Sequence, residues 1–355
     1  MLKIITSHDT LNCLNPFRDF AGWTRRGHTS RSLVGVKFSS QGLAVARITV
    51  DKSRPSLTLA DFQFCKPPAW ESVLTELVRR HGLKGQPCVG CLEGSTYQVI
   101  PITHPGLAED ELREALRWQV CEILDFPVEE AVTDYLELPA QESSHQMLDY
   151  LEPPVQQSNR QLLVVVARRG QVAKRAQLIQ KAGLKLVAID IRETALRNLA
   201  SLFPQDREGV ALIGFSWEEG FLMVSHQGEL VVTRSIKMGE SSLRQRIPSG
   251  EDYGDAAIAT LDQLVLEVQR LLDYHDSHFQ LPLATLILPP STRRAPIFER
   301  YFRANLNVNV LTLELGEIFK GAAAFDPEQQ NLCLFAIGAA ARCLDRESKM
   351  PGQGK

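Results

Sequence analysis

The 355-residue chain holds few side chains at spacings that could do covalent chemistry, and each has a plainer reading beside it. Cys88 and Cys91 form a C-x-x-C in "QPCVGCLEG", the spacing of a redox pair or of half a zinc site. An extended segment points the two to opposite faces, and no second cysteine pair or nearby histidine completes a site, so core packing is expected. His275 and His278, at i and i+3 beside Asp273 and Asp276, could touch one ion from a helix end. A solvated C-terminal cap favoured by the helix dipole is the simpler expectation. Glu218 and Glu219 adjoin in a turn, with nothing to mark either as an acid or a base. Neither a G-x-S-x-G elbow nor a P-loop occurs. What remains is "LVGVKFSSQGLAVARI", residues 33–48: two alternating apolar runs joined by small polar residues, with Lys37 inside the first run.

The totals narrow what such residues could serve. At 44% hydrophobic and 23% charged, the chain is long enough for two globular domains, each with its own core. A formal net charge of −3 lacks the basic surplus of a nucleic-acid binder. Seven cysteines, an odd number scattered along the chain, imply a reducing compartment, and the cytosol is expected. No apolar run approaches the ~18 residues that cross a bilayer, and residues 1–30 lack the apolar stretch of a signal peptide. Residues 15–31 interleave Phe17, Phe20 and Trp23 with Arg18, Arg25, Arg26 and Arg31. That pattern can rest on an anionic membrane surface, or it can be a flexible basic leader over 1–31.

The elements that must position any site follow from periodicity. Strands are expected at 33–39, 42–50, 57–64 and 88–92, with an amphipathic helix, "WESVLTELVRRHG", before the last. A helix over 107–124 should bury Leu112, Leu116, Val120 and Ile123 on one face. A strand, "EAVTDYLEL", precedes a polar excursion over 139–160. The unbroken apolar run "QLLVVVAR" reads as a strand covered on both faces, and with a helix at 171–183 and a strand at 186–191 it should make a βαβ unit. Strands at 210–215, 220–224 and 229–235 then repeat the opening meander, which suggests two related lobes facing a cleft. Residues 238–255 read as a loop. A long helix over 253–278 should bury a stripe of Ile258, Leu261, Leu264, Val265, Val268, Leu271 and Leu272. A strand "LATLILP", a helix at 295–302, a strand "VNVLTL" and a final helix at 329–344 close the chain before a frayed tail over 346–355.

Specific stretches carry a family resemblance. "YQVIPITHPGLAEDELREALRWQVCEILDFPVEEAVTDYLEL" resembles the segment of the type IV pilus assembly protein PilM in which an acidic helix leads to an F-P and then a D-Y strand. "VVVARRGQVAKRAQLIQKAGLKLVAIDIRETALRNL" resembles the stretch that joins PilM's two domains. "GELVVTRSIKMG" is similar to the family's strand ending in an arginine and a glycine, and "LVLEVQRLLDYH" to the long helix before its adenosine loop. The nearest branch by resemblance is MshI of the mannose-sensitive haemagglutinin (MSHA) pilus system, with the cytoplasmic domains of GspL as more distant cousins. The resemblance implies an α/β, actin-like (RNase H-like, FtsA/PilM type) two-domain fold with a subdomain 1C. Domain 1A would take 32–96 and 169–205, subdomain 1C 97–168, and domain 2 206–345.

That frame defines where ATP would sit, and all three of its contact places are altered. At the first phosphate hairpin Gly35, Ser39 and Ser40 persist, but Lys37 replaces the aspartate that would orient Mg²⁺, and a cation cannot ligate a cation. Lys37 could contact a phosphate directly; a solvated residue at the cleft mouth is the favoured expectation. At the second hairpin Gly214 and Ser216 persist, Leu212 fills the aspartate position, and Phe215 and Trp217 bring bulk. At the adenosine turn Pro289 and Pro290 stand for two glycines, with no N–H to offer and no access to positive φ. The expectation is therefore a pseudo-ATPase with no cofactor and no metal, acting as a cytoplasmic adaptor at the inner membrane. The resemblance implies a partner, the N-terminal cytoplasmic peptide of a PilN-like inner-membrane protein, lying between 1A and 1C. Its expected walls are Tyr97, Val99, Trp118, Asp134 and Tyr135, although Trp118 and Tyr135 could instead pack 1C onto 1A. The alternatives are an active actin-like ATPase of the pilus or type II secretion machinery and a sugar-kinase-like enzyme. Self-association is left open.

Overall fold

The computed structural model describes residues 31–50, 54–139, 160–247, 254–279, 281–290 and 295–344. The expected leader up to residue 30, with its membrane-contact reading, most of the polar excursion at 139–160 and the tail at 346–355 lie outside the described residues.

Alternating apolar runs become strands and 3.6-residue periods become helices along the chain. The first part gives β1 (Arg31–Ser39), β2 (Gly42–Val50), β3 (Ser56–Phe64), α1 (Trp70–Arg80) and β4 (Pro87–Cys91). The middle gives β5 (Tyr97–Thr103), α2 (Glu109–Cys121), β6 (Ala131–Glu137), β7 (Gln161–Arg168), α3 (Arg169–Lys181), β8 (Lys185–Asp190) and α4 (Arg192–Ala200). The last part opens with β9 (Val210–Phe215), β10 (Gly220–His226), β11 (Glu229–Ile236), α5 (Glu240–Arg246) and α6 (Asp255–His278). It closes with β12 (Thr285–Leu288), α7 (Ala295–Asn305), β13 (Asn309–Thr312), α8 (Leu315–Ile318), α9 (Pro327–Leu332) and α10 (Leu334–Ala341).

Two five-stranded sheets share one topology: β3-β2-β1-β4-β8 and β11-β10-β9-β12-β13. In each, the first three strands form an antiparallel meander and the last two join the first strand in parallel. The expected repetition of the opening meander is therefore present as a full sheet. Between the sheets lie α4 and α10, packed against both inner faces in one core that includes Val89, Leu199, Leu212, Phe221 and Ile337. The α10 sequence "LFAIGAAA" is buried on every side, as a helix with no polar face must be. Its small residues set the spacing. A side chain at Gly338 would overlap the Ala195 carbonyl of α4, and one at Gly35 would overlap the Ala336 carbonyl of α10. On the outer faces, α1 and α3 cover the first sheet, while α6 and α7 cover the second.

A third sheet, β5-β7-β6, is antiparallel throughout. Its central strand β7 is buried on both faces, as its unbroken apolar run requires: α2 covers one side and Leu92, Val172 and Ile191 the other. This placement corrects the expected βαβ unit, because β7 and β8 belong to different sheets. Periodicity describes each strand and the helix between them but carries no information on which sheet a strand joins. Other expectations are also corrected. Residues 238–255 are not all loop, since 240–246 form α5. Ile123 lies beyond the end of α2 and is exposed, as is Ile258 on α6. The closing helix is two helices, with the break at Cys333.

Candidate functional site

Parallel strands present their C-terminal ends together, and ligands of open α/β sheets bind beyond such ends. Here β1, β4 and β8 of one sheet and β9 and β12 of the other deliver Ser39, Glu93, Arg192, Ser216 and Pro289 to that region. Most of the polar groups there are committed to each other, the Ser40 hydroxyl being an exception that is buried without a partner. In the β1–β2 turn the Ser40 backbone N–H donates to the Glu93 Oε1 at 3.3 Å, so a carboxylate holds the donor that a phosphate would need. The Ser39 hydroxyl turns back to the Gly42 carbonyl at 3.0 Å. Lys37 is not solvated, which corrects the sequence expectation: its side chain is only 5% exposed. Its amine donates to the Leu92 carbonyl at 2.8 Å and lies 5.5 Å from the Phe335 ring centroid. Burial lowers its pKa, against the opposing pull of Cys91 and Glu93.

The second hairpin is closed in the same manner. Both the N–H and the hydroxyl of Ser216 donate to the Glu219 carbonyl at 2.8 Å, and the Ser216 carbonyl accepts the N–H of Glu240 at the start of α5. Gly214 faces the Phe221 ring rather than open space, and Leu212, Phe215, Pro289 and Pro290 are buried. Among the expected nucleotide residues, then, Gly35 and Gly214 serve packing, and Ser39, Ser40, Ser216 and Lys37 bond within the chain.

An ion-pair network that periodicity alone does not reveal joins the two lobes. Arg192, at the start of α4, holds Glu193 through Nε at 3.0 Å and Glu219 of the second hairpin through Nη1 at 2.6 Å. Its Nη2 donates to Ser235 of β11 at 3.0 Å. The Tyr97 hydroxyl of β5 donates to the other oxygen of Glu193. Burial works against the Arg192 charge, but Glu193, Tyr97 and Glu219 outweigh it and its pKa is raised. Burial and the adjacent Glu193 push the Tyr97 phenol well up. Gly94 permits this approach, since a side chain there would overlap both Glu219 and Arg192. The sequence signal was "IRE" directly after the strand ending at Asp190: charged residues that continue a buried strand have to find partners.

Below the network opens a cavity of about 570 Å³, lined by Tyr97, Val99 and Pro101 of β5, by Val231–Ser235 of β11, and by Tyr274 of α6. The structure brings Tyr97 and Val99 together there and takes the other expected groove residues elsewhere. Asp134 on β6 pairs with Arg113 of α2 at 3.1 Å, and Tyr135 lies beneath the Arg113 guanidinium on the α2 side of the sheet. Trp118 is 62% exposed on α2. Burial, only partly offset by Arg113, pushes Asp134 up to about 7.

The remaining candidates are structural. Cys88 and Cys91 are buried on opposite faces of β4, in two different cores, as their spacing predicts. Burial raises both thiols, Cys91 to about 12, which leaves them inert at neutral pH. His275 is fully buried against Phe279 rather than a solvated cap, while His278 stacks on Tyr274. Among the described residues no cluster of three or more His, Cys, Asp or Glu could hold a metal, and no helix is long and apolar enough to cross a membrane.

Comparisons with known proteins place this architecture. A family model described as "Type IV pilus assembly protein PilM" matches residues 29–257. Among solved structures, a "PilM-PilN type IV pilus biogenesis complex" chain is similar over 90% of this chain and 99% of its own, with 19% identity and a TM-score of 0.66. A Bacteroides thetaiotaomicron protein described as having an actin-like ATPase fold matches at 7% identity over 86% of this chain and 96% of its own, with a TM-score of 0.46. The cytoplasmic domain of EpsL, an inner membrane component of the Vibrio cholerae type II secretion system, matches at 11% identity, with coverage of 87% and 94% and a TM-score of 0.46. No curated protein matches by sequence. The fold is the expected α/β, actin-like one.

Proposed function

Since the chain belongs to the type IV pilus assembly protein PilM family, we propose that it is a cytoplasmic adaptor of a pilus machine of the MSHA type, in the MshI branch, and a pseudo-ATPase. The partner it takes is the N-terminal cytoplasmic peptide of a PilN-like inner-membrane protein, which holds it at the membrane. One observation carries the pseudo-ATPase half: the Ser40 N–H is spent on Glu93, and the Lys37 amine is spent on the Leu92 carbonyl. A triphosphate entering this cleft would have to break the buried Lys37 bond and displace the Glu93 carboxylate, with no carboxylate at position 37 or 212 to orient Mg²⁺. ATP and Mg²⁺ therefore have no part in the reading.

The peptide half is supported by the cavity beside the edge of β5, which among the described residues pairs with β7 alone. An extended peptide can add to such an edge through main-chain hydrogen bonds. The solved relative was obtained as a PilM–PilN complex. Two titrations of the purified chain test the proposal. Calorimetry with Mg·ATP should show no heat at millimolar nucleotide, and saturable micromolar binding would overturn the pseudo-ATPase half. A synthetic peptide from the N-terminus of the PilN-like protein encoded alongside should bind saturably, and its failure to bind would overturn the adaptor half.

A further inference from the structure

The cavity has an electrostatic asymmetry that a merely apolar groove would lack. Its two carboxylates are engaged: Glu193 accepts from Tyr97 and Arg192, and Glu219 is bonded to Arg192. Its second guanidinium is not so matched. Arg234, on β11, makes no ion pair among the described residues, and its Nη1 is buried with no hydrogen-bond partner. An arginine cannot shed its proton to relieve that burial, so a donor left in this state favours an incoming acceptor.

The opposite wall sets the shape of the occupant. Pro101 lies within β5, and a proline on an edge strand sits where its missing N–H would face away from the sheet. By the two-residue period, Tyr97 and Val99 turn their main-chain groups to the same free side, and a ladder added there ends at Pro101. The cavity thus offers a short strand-pairing edge on one side and a free guanidinium on the other.

Building on the peptide-adaptor reading, we propose that Arg234 is the specificity residue of this groove: it takes a carboxylate side chain of an extended peptide paired to β5 along Tyr97 and Val99. The planar fork of arginine matches a carboxylate through two hydrogen bonds, which makes the contact selective as well as attractive. The second lobe would thereby read a ligand held by the third sheet, and only when β5 and β11 keep their present separation.

The test uses the full chain and two synthetic peptides from the N-terminus of the PilN-like protein: the natural one and one with every Asp and Glu changed to Asn and Gln. The wild-type chain should bind the natural peptide about tenfold more tightly than the neutral one. Arg234→Met should remove that preference by weakening the natural peptide alone, and Arg234→Lys should restore part of it. Equal binding of both peptides by the wild-type chain overturns the assignment while leaving the adaptor reading in place. Binding of neither peptide overturns the adaptor reading and this inference with it. If inorganic phosphate binds in an Arg234-dependent manner without displacing the peptide, the site is an anion pocket and the assignment falls. Should Arg234→Met fail to fold, the comparison of the two peptides on the wild-type chain decides alone.

Discussion

Arg192 Nη1 lies 2.6 Å from Glu219 Oε1, and this pair ties the start of α4 to the hairpin between β9 and β10. It adds a polar tie between the two lobes to the apolar core that they share around α4 and α10. The pair is deeply set on the arginine side and 30% exposed on the glutamate side.

Glu219→Gln should therefore loosen the junction without unfolding the protein. Glu193 remains to hold Arg192, so the expected loss is about 1 kcal/mol, the scale of one partly exposed ion pair. Hydrogen exchange should quicken over 216–220 and at the start of α4, with little change in α1. Unchanged exchange there would show that the pair contributes nothing to holding the lobes.

Lys37 is a buried amine whose pKa burial lowers. The folded chain thus binds fewer protons at this residue than the unfolded chain, whose lysine titrates near 10.5, so this contribution to stability rises with pH up to about that value. Lys37→Met, similar in length and free of the charge, should match or exceed the wild-type melting temperature at pH 7. The gap in its favour should shrink as pH approaches 10. A gap that widens with pH would contradict the buried position of the amine.

Much of this was legible in the sequence because the signals are local. The alternating runs gave the strands of both meanders, and their repetition gave two lobes. The altered residues at 37, 212, 289 and 290 are equally local, and they carry the expectation of a pseudo-ATPase that calorimetry with Mg·ATP is to test. What the sequence could not supply was pairing between distant segments. "QLLVVVAR" reads identically in any sheet that covers both its faces, so its departure to a third sheet left no local trace. Arg192, Glu219 and Glu93 are separated by tens of residues, and only the convergence of strand ends brings them to one place. Lys37 was misplaced for the same reason: whether a charged residue on a strand faces solvent or a helix depends on α10, whose own residues lie some 300 positions away. Trp118 drew notice as an aromatic, but α2 already had three apolar residues for its inner face and left the tryptophan outside.

The close contact of α4 with α10 should tolerate no added methyl. A side chain at Gly338 would overlap the backbone of α4 at Ala195, which cannot rotate aside as a flexible side chain could. Gly338→Ala should cost about 1–3 kcal/mol by overpacking, despite the better helix propensity of alanine. Gly170→Ala, at a helical position with open space around it, should leave stability unchanged or slightly raised. Thermal unfolding of the two variants side by side checks this, and equal melting temperatures would show that the helix crossing is looser than described.

Asp134 offers the clearest dependence on pH. Its carboxyl, buried beside Arg113 and pushed up to about 7 from an ordinary value of 3.8, binds a proton more tightly in the folded chain than in the unfolded one. Folding is thus favoured by this group at low pH, and the benefit is lost as pH rises from about 4 to about 7, at about 1.4 kcal/mol for each pH unit in that window. Asp134→Asn keeps the shape and removes the titration. Arg113, one-third exposed, can turn to water in the variant. The variant should therefore match the wild type near pH 4 and below and exceed it in melting temperature above pH 7. If the wild type instead gains on the variant as pH rises, the Arg113 pair outweighs the burial of Asp134 and its carboxylate is charged throughout.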